Sequence, residues 1–268
     1  MKISTTLHAI TPIALTCIAL ANPVTWDGEA GDGLWTSPQN WSVDRLPRLG
    51  DDVVIKDAEV IWDNTLENGN LLAESLRLDG KTHLKVAAVI RFNHAQIHIG
   101  SKAKLTSEQE HQMFLDWLGG QVTFESGAEL GGKVLWENKL QPSFTFKLDA
   151  QGFKPLRPYI FSVDAPPENA ATRYVVDLKD YRGPSQKLVL VQFDRCSKDT
   201  YPEWFSTKST EILNAGVYQD CRFEWEKETH SLVLHIEKNH SARDAQDGTT
   251  LIKMGNLTLN QHRTNSSQ

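Results

Sequence analysis

Apolar and polar residues alternate at period two along much of the chain, most cleanly in LRLDGKTHLKV (76–86), IHIGSKAKLT (97–106) and VTFESGAEL (122–130). That period sends successive side chains to opposite faces, so each segment predicts half-buried strands rather than helix. All three segments are interrupted in the same way: a short strand runs into a turn holding Gly80, Gly100 or Gly127, and a second strand begins at Leu84, Leu105 or Leu130. Glycine at such a bend admits a backbone conformation that other residues resist. The glycines stand 20 and 27 residues apart. Stacked turns of a parallel β-solenoid produce spacing of this order, because one turn cannot bury its apolar side alone. A β-sandwich of short hairpins is the alternative.

Beyond these repeats the punctuation changes. Proline and polar residues gather in QGFKPLRP (151–158) and DAPPENAATR (164–173). YVVDLKDY, KLVLVQF and CRFEWEKETHSLVLHIEK then read as alternating strands, the last with hairpin character around Lys227–His230. The pattern predicts β-helix turns over 53–145, an antiparallel closing region over 146–238 and a mostly polar, flexible tail over 239–268.

The other end of the chain reads as a leader. Met1 and Lys2 precede an uncharged run to Leu20, and Ala19-Leu20-Ala21 supplies a small-x-small cleavage site, which predicts a signal peptide over 1–21 and a secreted, periplasmic or cell-surface protein. A lipobox at Leu15-Thr16-Cys17 is weakened by the Thr before the Cys. No later segment approaches the roughly 20 apolar residues that a membrane helix needs, so no membrane span is expected. The formal net charge is −6, about −7 once Lys2 leaves with the leader, and the basic residues are scattered, which argues against nucleic acid as a partner. After cleavage only Cys196 and Cys221 remain. An even pair in an oxidising compartment predicts one disulfide, closing a loop of roughly 25 residues and stabilising by about 3 kcal/mol, with two free thiols buried as small apolar groups as the alternative.

Residues 25–42, TWDGEAGDGLWTSPQNWS, hold three tryptophans behind the leader. Extended to Ile55, the stretch carries Trp26, Gly31, Asp32, Gly33, Trp35, Asn40, Trp41, Pro47, Gly50, Asp51, Asp52, Val53 and Ile55 in an ordered pattern, G-D-G-x-W, N-W, Pro, then G-D-D-V-x-I. This pattern resembles the entry segment of right-handed β-helical exported proteins of the autotransporter-passenger type. The resemblance covers some 30 residues and extends loosely, through the glycine-marked turns, to about residue 145. It implies an all-β, right-handed parallel β-helix with an N-terminal aromatic cap over 22–52 and a C-terminal closing region. Neither a membrane-embedded barrel nor a sorting tail is expected to follow. The likeness speaks to architecture more than to activity.

A β-helix exposes unpaired backbone and apolar core at its first turn, which invites edge-to-edge association unless it is covered. Trp26, Trp35 and Trp41 lie where such a cap is needed; a carbohydrate-stacking platform formed by the same three rings is the alternative reading. Asp27, Glu29 and Asp32 lack the EF-hand and glycine–aspartate calcium spacings. His94 and His98 alternate along a predicted strand, about 13 Å apart and too far to share a metal, so no metal and no cofactor is expected. Sequons at Asn40, Asn239, Asn256 and Asn265 matter only in a eukaryotic secretory route.

Two functional classes follow. The first is a non-enzymatic secreted or surface protein, expected as a monomer, with a structural, adhesive or polysaccharide-binding role toward an extracellular polysaccharide or cell-surface component. The second is a polysaccharide-degrading lyase or glycoside hydrolase, which needs carboxylates or a basic residue clustered on neighbouring turns. Glu125, Glu129, Asp116, Lys102 and Lys104 are the available groups, and they do not recur at matching positions, so the first class is preferred and the catalytic residues stay unassigned.

Overall fold

The computed structural model describes residues 23–63, 69–87, 89–107, 113–132, 134–138, 142–163, 172–196, 210–218 and 220–238. The expected signal peptide and tail lie outside the described residues. Among the described residues the structure is mostly strands with almost no helix, a short 3-10 turn at Pro38–Asn40 being the one such element with described bounds.

Most strands lie in three parallel sheets. An eight-stranded sheet holds, in spatial order, β1 (Val24–Thr25), β2 (Asp52–Lys56), β4 (Ser75–Asp79), β7 (Gln96–Ile99), β10 (Gln121–Glu125), β13 (Ser143–Lys147), β15 (Arg173–Asp177) and β18 (Thr210–Leu213). A four-stranded sheet holds β3 (Glu59–Trp62), β5 (His83–Val86), β8 (Lys104–Ser107) and β11 (Glu129–Gly131). A five-stranded sheet holds β6 (Ile90–Asn93), β9 (Met113–Leu118), β12 (Val134–Asn138), β14 (Ile160–Val163) and β17 (Arg195–Cys196). From β4 to β13 the chain visits the eight-, four- and five-stranded sheets in strict rotation, so neighbours within a sheet come from successive passes.

The repeats seen in the sequence become register. Leu84, Leu105 and Leu130, the first apolar positions after the three glycine turns, are directly paired on β5, β8 and β11. Inward side chains of the eight-stranded sheet form two columns, Val53–Leu76–Ile97–Val122–Phe144–Tyr174 and Ile55–Leu78–Ile99–Phe124–Phe146–Val176. Every member is buried. Each such burial contributes roughly 1.5–3 kcal/mol relative to an exposed side chain. Aromatics take over from the aliphatics midway, with Phe124, Phe146, Phe144 and Tyr174 stacked at centroid distances of 6.0–6.5 Å.

Two of the three turn glycines play the expected conformational role. Gly80 and Gly127 have φ of 60° and 95°, and a Cβ on Gly127 would stand 2.5 Å from the Ser101 carbonyl oxygen. Gly100 is different: its φ is not in the left-handed region, and what restricts it is the Leu78 carbonyl 3.0 Å from a Cβ.

The expected boundary at residue 145 is corrected. The parallel ladder continues through β15 and β18, and among the described residues the antiparallel sheet consists of β16 (Gln186–Gln192), β19 (Asp220–Glu226) and β20 (Ser231–Glu237), in the order β16-β20-β19. The hairpin joining β19 to β20 turns at residues 227–230, as the alternation suggests. The alternation of YVVD predicts a strand, but periodicity alone cannot tell a parallel partner from an antiparallel one.

The disulfide is also corrected. Cys196 ends β17 in the five-stranded sheet, whereas Cys221 lies on β19 in the antiparallel sheet, and no bond joins them. The Cys221 thiol instead donates to the Tyr218 carbonyl at 3.3 Å. An even cysteine count identifies a possible pair, but a bridge also requires the two backbones to approach within about 7 Å in the right orientation.

Candidate functional site

Two regions concentrate chemistry: the tryptophan-bearing entry stretch and the outward face of the eight-stranded sheet.

The entry stretch adds to two sheet edges at once. Its β1 pairs with β2, and Leu34 forms a parallel bridge with Ile61 on β3. Between these attachments the rings converge. Trp41 lies edge to face with both Trp26 and Trp35, at 5.0 and 4.7 Å, and Trp35 packs at 4.5 Å on Trp62 of β3. Trp35 and Trp41 are 3% and 0% exposed, while Trp26 is half-buried against them. A sugar platform needs an open ring face, which Trp35 and Trp41 do not have, so that expectation is corrected for these two.

Asn40 holds the loop around the rings. It is fully buried, donates from Nδ2 to Asp32 Oδ1 at 2.7 Å and to the Leu34 carbonyl at 3.0 Å, and accepts from the Ala30 N–H through Oδ1. A glycan on its amide would displace these bonds. Hydrogen bonds from Ser37, the Leu34 N–H and Asn40, in that order, hold the Asp32 carboxyl below its ordinary value. Asp32 is thereby committed within the loop, and among the described residues no group of three or more His, Cys, Asp and Glu is arranged to hold a metal.

The outward face of the eight-stranded sheet carries ladders of polar side chains in register. One column reads Asp52–Ser75–Gln96–Gln121–Ser143–Arg173, and the next reads Val54–Arg77–His98–Thr123–Thr145–Val175. Periodicity dictates this: the residues between the buried columns must face outward.

His98 stands at the centre, 16% exposed, with Glu125 Oε1 3.3 Å from its Nε2 and Asp79 Oδ1 3.9 Å away. The Nε2 atom is buried and makes no hydrogen bond, so the Glu125 contact is electrostatic and off line. Burial first, and then the Arg77 guanidinium, push the His98 imidazole below its ordinary 6.5 despite the pull of Glu125, leaving it neutral at pH 7. Arg77 in turn pairs with Asp79 at 2.5 Å. His94, its expected surface companion, sits exposed with φ of 57°, just before β7.

The other sequence candidates are scattered. Glu125 belongs to the eight-stranded sheet, Glu129 to the four-stranded sheet and Asp116 to the five-stranded sheet. Lys102 lies exposed in the turn after Gly100. Glu129 is held between Lys104 at 2.7 Å and Lys154 at 2.6 Å, which push its carboxyl down to about 2. A carboxylate so stabilised as an anion is a poor general acid or base near neutrality.

The Gln96–Gln121–Ser143 column went unrecognised in the sequence. The signal was available: these residues each stand one position before the first buried residue of their strand. No protein-family model, curated protein or solved structure matches this chain.

Proposed function

We propose that the protein is a secreted or cell-surface, short right-handed parallel β-helix that acts by binding rather than catalysis, with an extracellular polysaccharide or cell-surface component as its partner. Rotation of the chain through three parallel sheets supports the β-helix, and the strong preference of parallel crossovers for the right hand supports its handedness. The tryptophan stretch then serves as the cap of the first turn, and the antiparallel sheet closes the other end.

The observation that carries the binding role is the outward face of the eight-stranded sheet, with polar side chains in register on consecutive strands. A rigid backbone presents these groups at fixed spacing, which lowers the ordering cost of binding an extended polymer.

The second reading, a polysaccharide-degrading enzyme, rests on one contact, the neutral His98 beside Glu125 at 3.3 Å. Glycoside cleavage by the common route needs a pair of carboxyls flanking the scissile bond. Glu125 and Asp79 both approach His98, but Arg77 occupies Asp79, which leaves the pair unmatched to that task.

Incubating the purified chain with immobilised polysaccharides separates the two. Retention without new reducing ends or unsaturated products is expected. Product formation that disappears in His98→Ala would replace the binding reading with the enzymatic one.

A further inference from the structure

The outward face of the eight-stranded sheet contains an island without formal charge. Gln96, Gln121 and Ser143 are paired in one column, and His98, Thr123 and Thr145 in the next. Neighbours along a column stand about 4.8 Å apart, and the two columns about 6.6 Å apart. Gln96 and Gln121 are exposed, while Thr123, Ser143 and Thr145 are half-buried among their neighbours.

Among the described residues, none of the Gln96, Gln121, Thr123, Ser143 and Thr145 side chains has a hydrogen-bond partner within the protein. Elsewhere on the same face such partners are made: Ser75 donates to Asp52 at 2.6 Å, and Asn214 to Asp177 at 2.7 Å. The five side chains therefore keep their donors and acceptors available to something outside. The charges at the borders are mixed in sign: Arg77 is paired to Asp79 and Arg173 to Glu211, and beyond Thr123 and Thr145 the strands continue with Glu125 and Lys147, one of each sign, directly opposite each other on β10 and β13.

We infer that these six positions form the binding surface for a neutral polysaccharide, whose hydroxyls exchange hydrogen bonds with the amide and hydroxyl ladder. The inference rests on the binding reading above and gives it a place and a chemical class. A pyranose ring is comparable in length to the spacing between strands, so a chain crossing the sheet meets a fresh donor and acceptor pair at each strand. An acidic polysaccharide fits less well. It calls for rows of unneutralised Lys or Arg, as in other anion-recognising surfaces, and the island holds none. A second copy of the chain is disfavoured too, because the core of a stable protein interface is apolar and this patch is not.

The experiment is affinity electrophoresis of the mature chain in gels containing galactomannan, soluble β-1,3-glucan or polygalacturonate, repeated with Thr123→Val/Thr145→Val and with Gln96→Ala/Gln121→Ala. The valines preserve shape and β-branching while removing the hydroxyls, and thermal melting of each variant checks that the fold is intact. Retardation by at least one neutral polymer is expected, with at least a tenfold loss of affinity in both variants at unchanged melting temperature. Neutral-polymer retardation that survives both variants would place the site elsewhere and overturn the inference. Retardation by polygalacturonate alone, abolished by salt, would overturn the neutral class while leaving the binding reading standing. Absence of retardation by all three would overturn both. A wild-type dimer that the valine variant converts to monomer would assign the face to self-association instead.

Discussion

Trp41 donates its indole N–H to the backbone carbonyl of Trp35 across 3.0 Å, while the two rings meet edge to face at 4.7 Å. One residue pair thus closes a polar and an apolar requirement together. The buried indole N–H of Trp41 finds a partner, and the Trp35 ring that it meets packs in turn on Trp62.

Truncating either buried ring should therefore be costly. Trp35→Ala and Trp41→Ala are each expected to lose about 3–5 kcal/mol in denaturant unfolding, and the half-buried Trp26→Ala a smaller amount, roughly 1–2 kcal/mol. An unchanged unfolding midpoint for Trp41→Ala would mean that the stretch is not a cap.

Asn40 offers a polar counterpart. Asn40→Ala leaves the Ala30 N–H and the Leu34 carbonyl without their side-chain partner, at about 1–3 kcal/mol for each group that stays dry. Asn40→Asp should be worse at neutral pH, since it sets a second carboxylate where an amide now stands 2.7 Å from Asp32. Unfolding curves at pH 7 and at pH 4 test the distinction: the Asp variant should recover part of its loss at the lower pH, and the Ala variant should not.

How much of this was legible beforehand depended on where the marks fell. The glycine turns announced the four-stranded sheet, and Leu84, Leu105 and Leu130 proved to be true partners. The third sheet passed unnoticed, because β6, β9 and β12 begin without a shared turn residue. Tyr174 was readable as a strand residue but not as the parallel partner of Phe144, a long-range choice that depends on the core behind it. His98 looks like any outward histidine in sequence; its low basicity comes first from burial and then from Arg77, both supplied by neighbouring strands. The two cysteines were countable, but their separation onto different sheets was not.

Glu129 makes a prediction about acid. Its folded-state value lies at about 2 against an ordinary 4.5, so the carboxylate contributes stability above pH 4.5 that is lost as pH falls toward 2. Its side chain is 37% exposed, which keeps the contribution under about 1 kcal/mol. Glu129→Gln should flatten the wild-type fall in stability across that window, measured by urea unfolding at a series of pH values. Parallel slopes in the two proteins would count against the pairing with Lys104 and Lys154.

The cysteines can be settled by mass. Produced without residues 1–21, denatured and left unreduced, the chain should take up two maleimide labels. In the native protein Cys221 should react slowly, because burial pushes its thiol up and Tyr218 accepts its S–H. An intact mass short by two hydrogens, with no labelling, would restore the disulfide.

The rotation through three sheets leaves the distance between successive partners variable. Leu76 and Ile97 are 21 residues apart and Phe144 and Tyr174 are 30, yet both pairs stand directly opposite one another. Register is set at the strands, and extra length is taken up at the corners. Over evolutionary time, such a chain can gain or lose residues at its corners without disturbing its core. Its descendants should therefore diverge in length and alignment well before they diverge in shape.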